Sequence, residues 1–517
     1  MSPETLDRPS APDLRSRTDS QADSPPHAIV VGAGFGGLAA ALRLRARGYS
    51  VDLIDRQQAP GGRAQVYERG GFVHDAGPTV ITAPFLFEEL FELFGERLSD
   101  HVELVPVEPW YRFEFNDGNR FDYGGTVEDT LQEIRRFDPR DAAGYQRLLE
   151  SSRKIFDKGF TDLADRPFLR FTDMLKVVPD LVRLGSHRTV SGLVSKHLKD
   201  ERLRQAFSIQ PLLVGGNPFD TTSIYALIHY LERQWGVWFA MGGTGALVRG
   251  LLGLAERHGI RFLGGRTVKR LSVHSGRVRG VQLEGGVEMR ADLVVSDGDP
   301  PWLYRNAIAS KDRKRWTNGK IDRLSYSMGL FVLYFGTRRK YEDVAHHTIV
   351  MGPRFKGLLD DIFHRKHLAE DFSLYLHRPT ATDPSMAPEG CDSFYVLSPV
   401  PNLQAGIDWE KEGPRYRDRI VKELSKRVLP GLEESICEDF FVTPEHFQQS
   451  YLSQHGTGFS IAPLFQQSAW FRFHNRSEDV EGLYLVGAGT HPGAGLPGVL
   501  SSAKALDRIV PNPVRRR

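Results

Sequence analysis

The segment "VGAGFGG" sets Gly32, Gly34 and Gly37 at the spacing G-x-G-x-x-G, directly after the apolar run "AIVV" and ahead of "GLAAALRLRARG". The chemistry open to such a loop is the holding of phosphate. Gly32 permits a tight turn out of a strand, Gly34 lets backbone approach a pyrophosphate, and Gly37 lets helix and strand pack closely. Free N–H groups and the dipole at the helix start then favour a diphosphate. Asp55 ends the next apolar run, "SVDLID", where an acid bonds ribose hydroxyls and disfavours a 2′-phosphate. By itself Asp55 reads equally as a solvated strand-end acid; with strand, turn and helix around it, it completes a nucleotide site. "APGGRAQ" adds Gly61 and Gly62 for backbone approach and the planar guanidinium of Arg63 for phosphate. None of this separates NAD from FAD.

Near the other end of the chain, "LYLVGAGTHPGAGLPGVLSSAK" (Leu483–Lys504) mixes Gly487, Gly489, Gly493, Gly495 and Gly498 with apolar residues. A solvated tail has no need of that combination; a loop that lies close against something does. Other reactive side chains are scattered. His346 and His347 are adjacent but lack a spaced carboxylate or a third ligand, so a structural pair is expected. Asp173 in "RFTDMLKVV" reads as an N-capping or solvated acid. His491 is expected to order the tail loop. No Ser-His-Asp set and no metal spacing is present.

The elements that must position these residues follow from periodicity. Residues 28–56 read as strand, helix, strand, and residues 127–235 are rich in helical patterns such as "DTLQEIRRF" and "AGYQRLLESSRKIF". Residues 243–300 return to the turn, helix and strand pattern of the N-terminal segment. A glycine turn precedes the helix "ALVRGLLGLAERHG", and strands follow near "IRFLGG", "VRGVQLEGG" and "ADLVVS". Strands of a separate sheet are expected at 325–335, 372–377 and 393–398, and a helix at 415–429. Residues 1–26 are rich in Pro, Ser, Asp and Arg and read as a disordered leader.

The chain is 517 residues long, enough for two or three domains. Its 67 basic and 65 acidic residues give a net charge of +2, which supports no large nucleic-acid footprint. Cys391 and Cys437 form neither a CxxC nor a metal spacing and read as reduced structural thiols of a cytosolic protein. No run approaches the apolar length of a transmembrane helix, and the N-terminus lacks the apolar core of a signal peptide.

In order, "VGAGFGG", "IDR", "PGGR" and "DAGPT" resemble the FAD-dependent amine oxidase and desaturase superfamily. "RQWGVWFAMGGTGALVRGL", "HHTIV", "EDFSLYLHRPTATDPSMAPEG", "FYVLSPVPNL", "QSAWFRFHN" and the tail loop narrow this to the bacterial-type phytoene desaturases of carotenoid synthesis. The match spans roughly residues 28–507. The resemblance implies an α/β, Rossmann-like FAD domain built from 28–95, 240–300 and 476–512. It further implies an α+β substrate domain from 96–126 and 301–475, and a helical, membrane-facing part from 127–239.

Carried over residue by residue, the resemblance puts Gly32, Gly34, Gly36 and Gly37 at the diphosphate and Asp55 on the adenosine ribose. Gly62 and Arg63 follow the diphosphate and flavin side, Val268 holds adenine through its backbone, and Gly489, Thr490 and Val499 close the loop beside the flavin. Asp173 becomes a proposed acid/base residue. Many members carry an acid after the last strand; here that pair is Gly487–Ala488, so the contact must come from backbone or water. The implied reaction is desaturation of phytoene in three or four steps to neurosporene or lycopene, with oxygen or a quinone as final acceptor. The implied location is the cytoplasmic face of a membrane. Residues 170–199 join apolar clusters to Lys176, Arg183, Arg188, Lys196 and Lys199, which suits an interfacial helix pair. A later carotenoid desaturase, a carotenoid isomerase and an isoprenoid carrier without flavin chemistry are the alternatives.

Overall fold

The computed structural model describes residues 25–513. Most of the expected leader and the closing Val514–Arg517 lie outside them.

A parallel five-stranded sheet forms the base of the molecule. Its spatial order is Leu483–Leu485, Leu293–Ser296, His27–Val31, Ser50–Ile54 and Arg261–Leu263. Each of these strands is short and mostly apolar, as a parallel strand covered on both faces requires. Helix Phe35–Ala46 covers one face and is buried along nearly its whole length, because Ala39, Ala40 and Ala41 let it lie close to the sheet. Helices Thr244–Arg257 and Leu496–Lys504 pack with it in the same apolar core. An antiparallel trio, Val268–His274, Arg277–Leu283 and Glu288–Arg290, packs beside this sheet.

Parallel pairing puts the ends of distant segments side by side. Val31 pairs with Ser296, and Ser296 with Leu485, so the loops after three strands emerge together. This pairing unites the opening glycines, the "SDGDP" segment and the tail. That is the crevice where open α/β sheets bind ligands.

A second sheet of seven strands runs Ile436–Val442, Gly329–Thr337, Asp392–Val400, Leu374–His377, His347–Val350, Tyr111–Glu114 and Arg120–Tyr123. The three strands expected at 325–335, 372–377 and 393–398 are all in it, with Gly329–Thr337 and Asp392–Val400 directly paired. The expected helix at 415–429 starts earlier, at Trp409, where Asp408 caps it by accepting from the Lys411 N–H. Helices between Val127 and Trp235 lie against this sheet and share its core. Cys391 is half-buried and Cys437 exposed, and both are free thiols.

Candidate functional site

The glycine loop leaves its strand at Gly32, where φ is +98°. Only glycine takes that conformation without strain. The Gly32 N–H donates to Ile54 O at 2.8 Å, and the Gly61 N–H donates to Ala33 O at 2.8 Å, so "GGR" is stitched to the first loop. Side chains on these glycines would meet their neighbours. A Cβ on Gly34 would stand 2.7 Å from Asp297 Oδ2, and one on Gly62 would stand 3.4 Å from Gly34 Cα.

Asp55 is buried and lines the same space. Its Oδ2 accepts from the Ala33 N–H at 2.6 Å and its Oδ1 from the Gln57 N–H at 2.7 Å. Burial raises its pKa, and those backbone donors work against the rise. Arg63 donates from Nη2 to Ser453 Oγ at 3.2 Å, while its buried Nε has no protein partner. A buried guanidinium nitrogen left open beside a glycine cradle is a donor kept for an anion.

A continuous cavity of 580 Å³ runs from this cradle into the molecule. Gly32, Gly34, Gly36, Asp55, Gly62, Arg63, Val268 and Val499 all line it, although they come from distant stretches of sequence. Gly37 stands behind the loop, close on Gly32 O, in the helix-packing role its spacing indicates. Gly489 and Thr490 are not on the wall. Gly489 packs on Pro300, and Thr490 is fully buried with its hydroxyl on Gly487 O at 2.9 Å. The tail reaches the cavity instead through Ala488 and the run His491–Val499.

Arg472 holds that tail in place. It is 1% exposed and donates to Ala488 O at 2.7 Å and to Thr490 O at 3.0 Å. Asn475 adds a bond from Nδ2 to His491 O at 2.9 Å. His491 lies on the cavity wall with Nε2 against Leu163 O at 3.1 Å, and burial drops its pKa to about 4, so it is neutral and acts as a spacer.

Asp297 escapes a reading of the sequence alone. It follows the strand Leu293–Ser296 and aims its carboxylate at Gly34, Gly36 and Gly487. Burial pushes its pKa up to about 7, with the Gly37 and Gly34 N–H groups and Arg63 opposing and Asp55 reinforcing. It stands beside the Gly487–Ala488 pair, where the tail itself supplies no acid. Asp299, two residues on, accepts from the Gln454 N–H at 2.8 Å and from Ser460 Oγ, tying the far loop to the cradle. The signal available in the sequence is the pair of acids in "SDGDP" immediately after an apolar strand.

Away from the cradle the cavity wall is hydrocarbon. Ile209, Leu212, Ile228, Leu330, Ile349 and Leu359 are typical. Met174, Val177 and Leu181, from the helix Phe171–Arg183, close one side. Asp173 of that helix is half-buried and off the wall; its Oδ2 accepts from the Arg170 N–H at 3.0 Å. That is the capping geometry its residue type indicates. The hydrocarbon stretch does carry an acid, Glu232, fully buried, with Tyr111 donating to Oε1 at 2.9 Å and Oε2 unpartnered. Burial lifts its pKa to about 7.

The helix Phe171–Arg183 is apolar on its outer face too. Phe171, Leu175, Val178 and Val182 are 49%, 52%, 38% and 64% exposed. Their spacing of four, three and four residues is one helical stripe. Lys176 and Arg183 of this helix, and Arg188, Lys196 and Lys199 after it, are exposed. No helix among the described residues is long and apolar enough to cross a membrane.

Comparison with known proteins matches this architecture. The family model of flavin containing amine oxidoreductases matches residues 35–505. The chain is 48% identical to a lycopene-forming phytoene desaturase of Pantoea ananas, over 92% of this chain and 97% of that one. It is 43% identical to a neurosporene-forming phytoene desaturase of Rhodobacter capsulatus, over 94% of each. Among solved structures, an oxidoreductase from Methanosarcina mazei superposes with a TM-score of 0.64 at 16% identity, covering 93% of this chain and 100% of that one. The chain belongs to the flavin-containing amine oxidoreductase family, on the branch of the phytoene desaturases, and FAD is its cofactor.

Proposed function

We propose, from that membership, that the chain is an FAD-dependent phytoene desaturase that introduces three or four double bonds and releases neurosporene or lycopene. The observation that carries this reading is the cavity, polar at the glycine cradle and hydrocarbon beyond it. A substrate without polar groups can be held only by shape and apolar burial, and this wall offers little else.

In this reading the segments 28–95, 240–300 and 476–512 form the flavin domain. Gly32, Gly34, Gly36 and Gly37 face the diphosphate, Asp55 the adenosine ribose, and Val268 the adenine. Gly62 and Arg63 follow the diphosphate, and Gly489, Thr490 and Val499 shape the closing loop, the first two from behind the wall. The cradle fits such a group, since Gly32, Gly34, Gly36 and Gly62 line it without side chains and Arg63 Nε is an open donor.

Desaturation takes two hydrogens from adjacent carbons, one as hydride and one as a proton. Bound FAD supplies the hydride acceptor. The protein aligns the hydrocarbon along the apolar wall and keeps water out. For the proton, the resemblance supplies Asp173, which would first have to leave its bond to Arg170 N. Glu232 is the acid within the hydrocarbon stretch itself, and its pKa near 7 suits proton acceptance.

The exposed stripe Phe171–Val182 and its cationic surround dock the protein on the cytoplasmic face of an anionic membrane. The same helix lines the cavity on its inner side, so it is the entry for a substrate dissolved in the bilayer. Oxygen or a quinone reoxidises the flavin; nucleic acid is not a partner.

Mixing the FAD-loaded protein with phytoene-containing vesicles in the absence of oxygen tests this reading. Loss of the oxidised flavin absorbance is expected. A carotenoid isomerase or an isoprenoid carrier would leave the flavin oxidised, and a later desaturase would respond to a more conjugated carotenoid and not to phytoene.

A further inference from the structure

His346, His347 and His377 come together in the seven-stranded sheet. His347 and His377 are direct partners across adjacent antiparallel strands, and His346 precedes the first of them. Their side-chain nitrogens offer three ligand atoms that all lie within 4.8 Å of one another. The three imidazole centroids are 4.5, 4.8 and 5.4 Å apart. Zinc–nitrogen bonds of about 2.0–2.1 Å in a tetrahedral site put ligand rings about 5 Å apart, centre to centre.

Hydrogen bonding separates the two nitrogens of His346 and His347. His346 Nδ1 is 2.6 Å from Thr382 Oγ1, and His347 Nδ1 is 2.8 Å from the Tyr375 hydroxyl. The buried Nε2 atoms of both have no protein partner, and neither nitrogen of the fully buried His377 has one. Four buried imidazole nitrogens left open in one cluster is costly, because each has lost its water without gaining a partner. A partner on Nδ1 holds the rings of His346 and His347 in place and leaves Nε2 free, as in metal-bound histidine whose other ring nitrogen is hydrogen-bonded.

We infer that His346, His347 and His377 bind a divalent transition metal, zinc(II) by the preference of a three-imidazole set, with water or hydroxide as the fourth ligand. The site is separate from the glycine cradle. It stands one layer behind the cavity wall, joined to it through Tyr375, whose hydroxyl also meets Thr79 Oγ1 at 2.9 Å; Thr79 in turn meets the Tyr395 hydroxyl at 2.7 Å. A bound ion would fix His347, and through it the three hydroxyls that form a polar patch on a largely hydrocarbon wall. Nothing in this inference depends on which carotenoid the enzyme accepts.

Tag-free, FAD-loaded protein, stripped with chelator and then incubated with zinc(II) and gel-filtered, gives the test by elemental analysis. About one zinc per chain is expected, together with a higher melting temperature. His377→Gln and, separately, His346→Gln should each weaken zinc binding by roughly 100-fold while retaining the flavin absorbance that reports an intact fold. Wild-type protein that retains no zinc would overturn the inference, with a buried water then satisfying the ring nitrogens. So would equal zinc retention by wild type and by whichever variant keeps its flavin.

Discussion

The glycine cradle and the helix Phe171–Arg183 line one cavity and are built on opposite principles. At the cradle the backbone donors are aimed, Gly32 and Gly61 are tied to neighbouring loops, and no side chain could be added at Gly34. At the helix there are few directional bonds, and apolar side chains face both inward and outward. The first arrangement recognises a charged, rigid group by direction and distance. The second recognises hydrocarbon, for which area alone counts. A catalyst that joins a polar cofactor to a greasy substrate needs both, and one cavity holds both.

Three sets of substitutions break this comparison at different points. The largest effect is expected of Gly34→Val, whose side chain would fall on Asp297; FAD affinity should drop roughly 100-fold or more, read as flavin absorbance after gel filtration. Unchanged affinity would remove the cradle assignment. Next is the pair Leu175→Asp with Val182→Asp on the exposed stripe. Flotation with anionic vesicles at low salt should fall at least roughly tenfold, since each half-exposed residue forfeits about half of the ~1.5–3 kcal/mol that full apolar burial contributes, while FAD binding stays as in wild type. Flotation equal to wild type would remove the docking face.

The smallest effect concerns Asp297. With its pKa raised to about 7, it is neutral below that pH and negative above it, against the place proposed for the diphosphate. Arg63 and Asp55 are the charges that face it, one favouring and one opposing its ionisation. FAD affinity measured by fluorescence should therefore fall several-fold as pH rises from about 6 to about 8, and Asp297→Asn should flatten that slope. The same slope in both proteins would mean another group is responsible.

Legibility in the sequence follows the same division. Gly32, Gly34, Gly37 and Asp55 lie within one strand–helix–strand unit, so spacing alone is enough to place them in the fold. Asp297 is not legible, because its importance arises only when Leu293–Ser296 pairs in parallel with His27–Val31. His377 escapes for a like reason: the adjacent His346 and His347 find their third partner across a strand pair, which leaves no fixed sequence spacing. For Gly489 and Thr490 the family pattern points to the wall, but Pro300 and Arg472 hold that stretch one layer back. The residue type of Asp173 indicates a cap, and a cap is what it forms, with its side chain off the face Met174–Leu181 that lines the cavity.

The most direct measurement is product analysis after aerobic incubation of FAD-loaded protein with phytoene in anionic vesicles. Chromatography should show neurosporene or lycopene accumulating in wild type, with none from Gly34→Val and less from the Leu175→Asp, Val182→Asp pair. Phytoene recovered unchanged from the wild-type reaction, with the flavin fully bound, would contradict the assignment of this cavity to carotenoid desaturation.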